Sequence, residues 1–282
     1  MKEHSSPIRA GAVLSILAIS LVVSTVSSAA AEAETSKRPW DFEIGFGPSY
    51  KPDYSGSQDS SPHLLLWASG EYRTEHLGTF ALDSGSLTID PELRWNFLDG
   101  RDAAFGLLLG YREGRDDQEP GLLGSGTGSS RLQGMGTISA VVDAGVQGHV
   151  SVFGVPLFAQ VRRALNSEQG TLVILGAYLP LKLGSCFELV MLPTLTLADS
   201  DQMQAFYGVT PTQSAGSGFR AYEARSGWQS AALEMIGDWT ISGGWHAICS
   251  VTYLHLLADA ASSPLVQEKG QVSGLLGMSY RF

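Results

Sequence analysis

Three things are scarce in this sequence. Of 282 residues only two are cysteines, Cys186 and Cys249, too few for the disulfide framework of a small secreted domain and without the spacing of a zinc site. A Cys186 to Cys249 bridge stays open at this point, because a disulfide needs Cα atoms within roughly 7 Å and sequence does not state that distance. Positive charge is also short: 18 Lys and Arg stand against 28 Asp and Glu, a formal −10 at pH 7. That balance repels phosphate backbones and argues against nucleic acid as a partner. The third lack is a long apolar run after the first thirty positions. A membrane helix needs roughly 20 consecutive apolar residues, so any crossing by the rest of the chain has to be made with strands.

The first thirty positions do hold such a run, and its flanks give it a different meaning. Lys2 and Arg9 precede an apolar core from Ala10 to Val26, and Ser27-Ser28-Ala29-Ala30-Ala31 supplies small residues for cleavage. This is the pattern of a signal peptide over residues 1–31, followed at once by the polar run Glu32, Glu34, Thr35, Ser36, Lys37 and Arg38. Residues 32–282 are then the mature domain. No cysteine lies near the cleavage region, so a lipoprotein anchor is excluded.

What the mature chain has in abundance is alternation. Trp40, Phe42, Ile44 and Phe46 alternate with Asp41, Glu43, Gly45 and Gly47, the period of a strand with two unlike faces. Val142, Ala144, Val146, Gly148, Val150 and Val152 alternate with Asp143, Gly145, Gln147, His149 and Ser151. Phe187, Leu189, Met191, Pro193, Leu195 and Leu197 alternate with a set that includes Glu188, Thr194 and Thr196. Soluble sandwiches alternate as well. Length decides here: the segments run about ten residues, enough for a tilted strand to cross a bilayer, where soluble strands average about five or six. Aromatic residues also gather near segment ends, among them Trp40, Tyr50, Trp67, Tyr72, Trp95, Tyr111, Trp239, Trp245 and Tyr280, as interfacial girdles require.

Short links at Gly154-Val155-Pro156, Leu183-Gly184-Ser185 and Thr240-Ile241-Ser242 alternate with long ones at 114–135, 199–226 and 257–270. This is the rhythm of periplasmic turns and outward loops. Strands are predicted at 40–51, 62–73, 78–83, 86–97, 103–113, 136–152, 156–165, 171–183, 186–198, 227–239, 243–256 and 271–282. The fold class is therefore all-β, a transmembrane antiparallel barrel of about twelve strands, with ten as the alternative. The weak place is 78–97, where Asp83-Ser84-Gly85-Ser86 reads as a turn between two strands or a bulge in one; the even parity of bacterial barrels favours the turn.

The final strand carries a second address. Val272, Gly274, Leu276, Met278, Tyr280 and Phe282 share one face, and the terminal aromatic with another two positions before it resembles the signal read by the barrel assembly machinery. Tyr280 and Phe282 are thus the expected contacts with that machinery. The location implied is the outer membrane of a Gram-negative bacterium, with outer-membrane lipid and lipopolysaccharide as surroundings.

Several stretches also resemble the MipA/OmpV family of outer-membrane proteins over nearly the whole mature chain. They are Trp40 to Gly47 with Pro52-Asp53-Tyr54-Ser55-Gly56-Ser57, then Tyr111-Arg112-Glu113-Gly114-Arg115-Asp116-Asp117. Most distinctive is Ala198 to Val209, followed by Thr210-Pro211 and Ser214-Ala215-Gly216-Ser217-Gly218. Ser200 stands where the family often has an acidic residue. The resemblance implies an outer-membrane barrel and, for the family's namesake, a scaffold joining a murein-cleaving lytic transglycosylase to a murein-synthesising penicillin-binding protein. It brings no catalytic residues.

A few groups have the residue types for chemistry. His149, Ser151 and Asp143 share a strand face, but a triad needs hydrogen-bond reach, and they read as polar lumen residues. His246 and His255 fall on opposite faces, which argues against a joint metal site. Asp199, Ser200 and Asp201 lack the Gly and distal Glu of a calcium loop, and read as a solvated strand end. Arg115, Asp116 and Asp117 read as a solvated loop. The Gly-rich run from Gly121 to Ser130 lacks the Lys-Ser/Thr pair and helix of a phosphate cradle. Met203, Ala205, Phe206 and Tyr207 are too apolar for an exposed loop, and are expected to fold inward as a plug or constriction.

No catalytic, cofactor or metal site is therefore expected, and no enzyme activity. The leading expectation is a non-enzymatic scaffold linking murein hydrolase and murein synthase. The alternative is a small solute passage through a polar lumen face bearing Glu43, Asp143, Gln147, Glu188 and Thr196, or an adhesin acting through the outer loops. A rim-located lipid hydrolase is the third reading.

Overall fold

The computed structural model describes residues 39–282 other than 85, 101, 119–126 and 167. The expected signal peptide lies outside them, as does most of the Gly-rich run. Alternation becomes strand as expected, in the order β1 Trp40–Pro52, β2 Ser60–Thr74, β3 Gly78–Asp83, β4 Glu92–Asp99 and β5 Ala103–Arg112. Next come the two-residue strands β6 Arg115–Asp116 and β7 Thr127–Gly128, which pair with each other outside the wall, Arg115 also bridging Ile138. The wall continues with β8 Val141–Val152, β9 Val155–Ala164, β10 Thr171–Ala177, β11 Leu179–Lys182, β12 Phe187–Ala198, β13 Gly227–Ser242, β14 Trp245–Leu256 and β15 Gly270–Arg281. β10 and β11 are one stave interrupted at Tyr178, because both pair with β12.

Every neighbour in the wall is antiparallel, and the wall closes. β1 pairs with β15 through Ile44↔Tyr280 and Glu43↔Arg281, and β10 pairs with β12 through Leu175↔Leu195. The result is a barrel of twelve staves, the expected count, with the doubtful segment split in two. Closure leaves no margin of unpaired backbone at the seam, the condition for strands to sit in lipid.

The side-chain period places one face outward. Trp40, Phe42, Ile44, Phe46, Val272, Leu276 and Met278 are exposed large apolar residues, while Glu43, Ser49, Asp143, Gln147 and Ser279 are buried inside. An exterior of large apolar side chains around an interior that buries many polar ones departs from the pattern of a soluble protein. No helix among the described residues is long and apolar enough to cross a membrane. The chain is an integral β-barrel of the Gram-negative outer membrane. Connections 74–78, 99–103, 152–155, 182–187 and 242–245 lie at one end and are short; those at the other end are long and carry the helices. The short-turn end is periplasmic.

The outer end is covered. Helices α1 Ser200–Tyr207, α2 Pro211–Ser217 and α3 Ala258–Ala261 lie in the long connections. α1 starts where Asp199 accepts from the Gln202 N–H, and α2 starts with Thr210 and Gln213 in a reciprocal capping box ahead of Pro211. Met203 and Tyr207 of α1 pack with Leu172, Ala198, Ala224, Leu256 and Ala260. A second cluster joins Tyr54, Leu132, Met135, Val209 and Leu265.

Candidate functional site

The connection between β3 and β4 does not continue the wall. It turns into the barrel, and there it decides what the lumen can do. Ser86 N–H donates to the Ile89 carbonyl at 2.6 Å, and Ser86 Oγ accepts from the Thr88 and Ile89 N–H groups, both at 2.9 Å. That tight turn presents Leu87 and Ile89 to the interior. Leu87 packs on Leu65, Trp67, Val190, Ile236, Ile248 and Leu275, and Ile89 on Phe158, Ile174 and Leu192. Tyr178, at the break between β10 and β11, touches both groups and brings its ring within 5.1 Å of Phe158.

The turn is fastened across the barrel by one carboxylate. Glu234 of β13 is wholly buried and accepts from Thr88 Oγ1 at 2.9 Å, Ser250 Oγ at 2.8 Å and the Leu87 N–H at 3.4 Å. Trp67 completes the filling from the opposite side: its indole lies along the wall over Gly45 and Gly277, where a Cβ at either glycine would overlap the ring. Glycine at those two places makes room for the tryptophan.

Beyond the apolar layer, toward the outer end, lies a layer of charge. Arg162, fully buried, reaches Asp143 at 3.3 Å and Glu92 at 3.4 Å. Arg112 pairs with Asp143 at 3.0 Å, and donates to Gln202 Oε1 at 2.7 Å and the Gln169 carbonyl at 2.6 Å, so it ties the wall to α1. Arg94 bridges Glu92 at 3.4 Å and Asp83 at 3.5 Å. Buried ions persist only when paired in this way.

The expected polar lumen is thus only half right. Glu43, Asp143 and Gln147 do face inward and are buried, but an apolar plug crosses the barrel between the polar layers. A through-going channel would leave Leu192, Ile236 and Leu275 wet, and they are 2% exposed or less. The predicted strand 86–97 begins only at Glu92, because residues 86–90 bury two apolar side chains better in the lumen than they would on the wall. The expected inward fold of Met203 to Tyr207 is present, as a helix over the outer mouth and not as a constriction inside it.

The candidate chemical groups end in structural roles. Asp143 is engaged by Arg112 and Arg162, away from any triad with His149 and Ser151. Asp199 is not a loose strand end: besides its Gln202 cap it accepts from the Thr171 N–H at 2.7 Å. Arg115 is not solvated either. It is 5% exposed and donates to the Phe206 carbonyl at 2.5 Å, and burial lowers its pKa to about 10. His246 Nδ1 lies 2.6 Å from Asp238 Oδ1, and Arg281 takes the other oxygen at 3.3 Å. Ser279 stands opposite His246 in register, yet its Oγ has no hydrogen-bond partner, so no triad forms. No group of His, Cys, Asp and Glu fit to hold a metal occurs among the described residues. Cys186 and Cys249 are both free thiols.

One surface lies outside these expectations. Each periplasmic turn carries an exposed large apolar side chain at or beside it: Leu77, Leu98, Phe153, Leu183 and Ile241. Phe153, with a positive φ of 52°, is fully exposed. Single exposed apolar residues need no explanation, but here five of them share one rim. The signal was present as one apolar residue per short link, and the alternation of short with long links had already put those links at one end.

Comparison with known proteins adds a family. The MltA-interacting protein of Escherichia coli (strain K12) is 31% identical over 84 residues, which is 29% of this chain and 33% of that protein. The chain therefore aligns with about a third of the length of that relative. Among solved structures, a bacterial polysaccharide outer membrane secretin has a TM-score of 0.43 at 12% identity, covering 86% of this chain and 98% of the other. The NanC porin has a TM-score of 0.41 at 11% identity with the same coverages. The family model described as MltA-interacting protein MipA matches residues 44–282, and the chain belongs to that family.

Proposed function

We propose that this protein is a non-enzymatic scaffold of the cell envelope, which holds a murein hydrolase and a murein synthase at its periplasmic rim. The observation that carries this reading is the ring of Leu77, Leu98, Phe153, Leu183 and Ile241 on the periplasmic turns. Apolar side chains at a rim are costly to leave in water and become favourable once a partner covers them. The name of the Escherichia coli relative, an MltA-interacting protein, supports a lytic transglycosylase as one partner. The plugged lumen and capped mouth argue against the alternative of a solute passage, since transport needs a continuous wet path.

A photo-crosslinking residue placed at Phe153 or Leu183 tests the proposal in living cells. A lytic transglycosylase or a penicillin-binding protein is the expected adduct, and it should be lost when the crosslinker sits instead at Thr212, exposed on α2 at the opposite end of the barrel. Repeated recovery of neither enzyme from the rim would sink the scaffold reading.

A further inference from the structure

One part of the barrel exterior is hollow. A groove of about 750 Å³ crosses β1 to β5 and reaches β8 on the lipid-facing side. Trp40, Tyr72 and Trp95 stand at one end, Leu82, Leu93 and Leu109 form its flanks, and Gly70 and Ala144 leave its floor low. Its lining is almost wholly apolar.

The course of the groove says what fits it. Paired residues lead across the sheet from Trp40 to Tyr72 and Phe80, then through Trp95 to Leu107, and a parallel row ends at Leu109 and Ala144. Trp40 is the first residue of β1, Phe80 the third of β3 and Leu107 the fifth of β5, while Ala144 is the ninth from the periplasmic end of β8. The groove therefore starts at the aromatic girdle of the periplasmic interface and climbs obliquely into the hydrocarbon. Tryptophan and tyrosine sit at headgroup level in membrane proteins, and aliphatic side chains line the deeper part.

We propose that this groove is a binding site for a phospholipid of the periplasmic leaflet, its headgroup beside Trp40, Tyr72 and Trp95 and an acyl chain laid toward Leu109 and Ala144. A lipid there is ordered against protein on several sides and differs from the lipids that merely surround the barrel. An added strand of another protein fits less well, because the groove runs across staves that are already paired on both edges.

Native mass spectrometry of the full chain, folded and released from vesicles of phosphatidylethanolamine and phosphatidylglycerol, tests the site. The wild-type barrel should retain one phospholipid, and Ala231→Phe, on the far wall, should retain it equally. Ala144→Phe or Leu93→Trp, which fill the groove, should lower occupancy at least fivefold; heat-modifiable gel mobility identifies a variant that fails to fold, and either variant alone suffices. Retention unchanged in both folded variants, or no retained lipid in the wild type, overturns the proposal. A dimer that the same substitutions convert to monomer also overturns it, in favour of a second copy of the chain.

Discussion

Glu43 on the first strand and Arg281, one residue from the carboxyl terminus, face each other across the seam that closes the barrel, with Arg281 Nη2 2.8 Å from Glu43 Oε2. The pair is lopsided. Glu43 is 1% exposed, whereas Arg281 also reaches Asp238. Removing the arginine strands a buried carboxylate; removing the glutamate leaves Arg281 a second partner. Arg281→Ala should therefore destabilise the barrel by about 3–5 kcal/mol, as uncompensated buried charges do, and Glu43→Ala by less. Urea midpoints of the two variants refolded in lipid vesicles check the order; equal midpoints would contradict it.

Glu234 holds the inserted turn of residues 86–89. Glu234→Ala removes the acceptor of Thr88 and of the Leu87 N–H, so the turn should loosen and the lumen open intermittently. Single-channel recordings should show brief current steps in this variant. A silent Glu234→Ala protein whose turn remains protected from hydrogen exchange would show that packing of Leu87 and Ile89 suffices without the carboxylate.

Trp67 and its two glycines make a matched set. Gly45→Val drives a branched side chain into the indole and should destabilise more than Gly100→Val, whose surroundings are open but for the Ala103 carbonyl. Trp67→Ala should cost about 3–5 kcal/mol through lost burial and the cavity left behind. If the double variant Gly45→Val with Trp67→Ala is more stable than Trp67→Ala alone, the two sites are coupled through this contact; strict additivity of the two losses would argue against it.

The outer cap should respond to alkali. Burial raises the pKa of Tyr207 above that of a free phenol, and its hydroxyl shares a 2.8 Å hydrogen bond with Ser55. Below pH ~10 the phenol is protonated whether the cap is packed or not. As pH rises beyond that value the released side chain ionises and the packed one does not, so the packed cap loses stability with rising pH. Limited proteolysis within 199–226 should accelerate above pH ~10 in the wild type. Tyr207→Phe should flatten that dependence; an identical pH profile would assign the effect elsewhere.

Much of the fold was legible because one physical rule repeats along the chain. Residues such as Trp40 to Gly47 and Val142 to Val152 alternate throughout, and lipid on one side with packed polar groups on the other leaves strand as the solution that pairs all its backbone. The turn at 86–91 escapes the same rule. Leu87 and Ile89 keep the alternating period of a wall strand, and the groups that receive them inside are distant in sequence, Glu234 standing 147 positions from Leu87. Nothing local encodes that partner. Asp199 and Arg115 escape for a related reason: each lies in a polar run, and the cap that uses one as a helix start and buries the other is assembled from distant loops. A local clue to the helices existed in Asp199 with Gln202 and in Thr210-Pro211 with Gln213, the spacing of capping side chains and their partners.

A barrel filled at mid-height by Leu87, Ile89, Trp67 and Tyr178 has its lumen blocked to solutes. Planar-bilayer recording of the purified wild-type protein measures this directly. The filled barrel predicts no steady current after insertion, and a stable open conductance under the same conditions would contradict it.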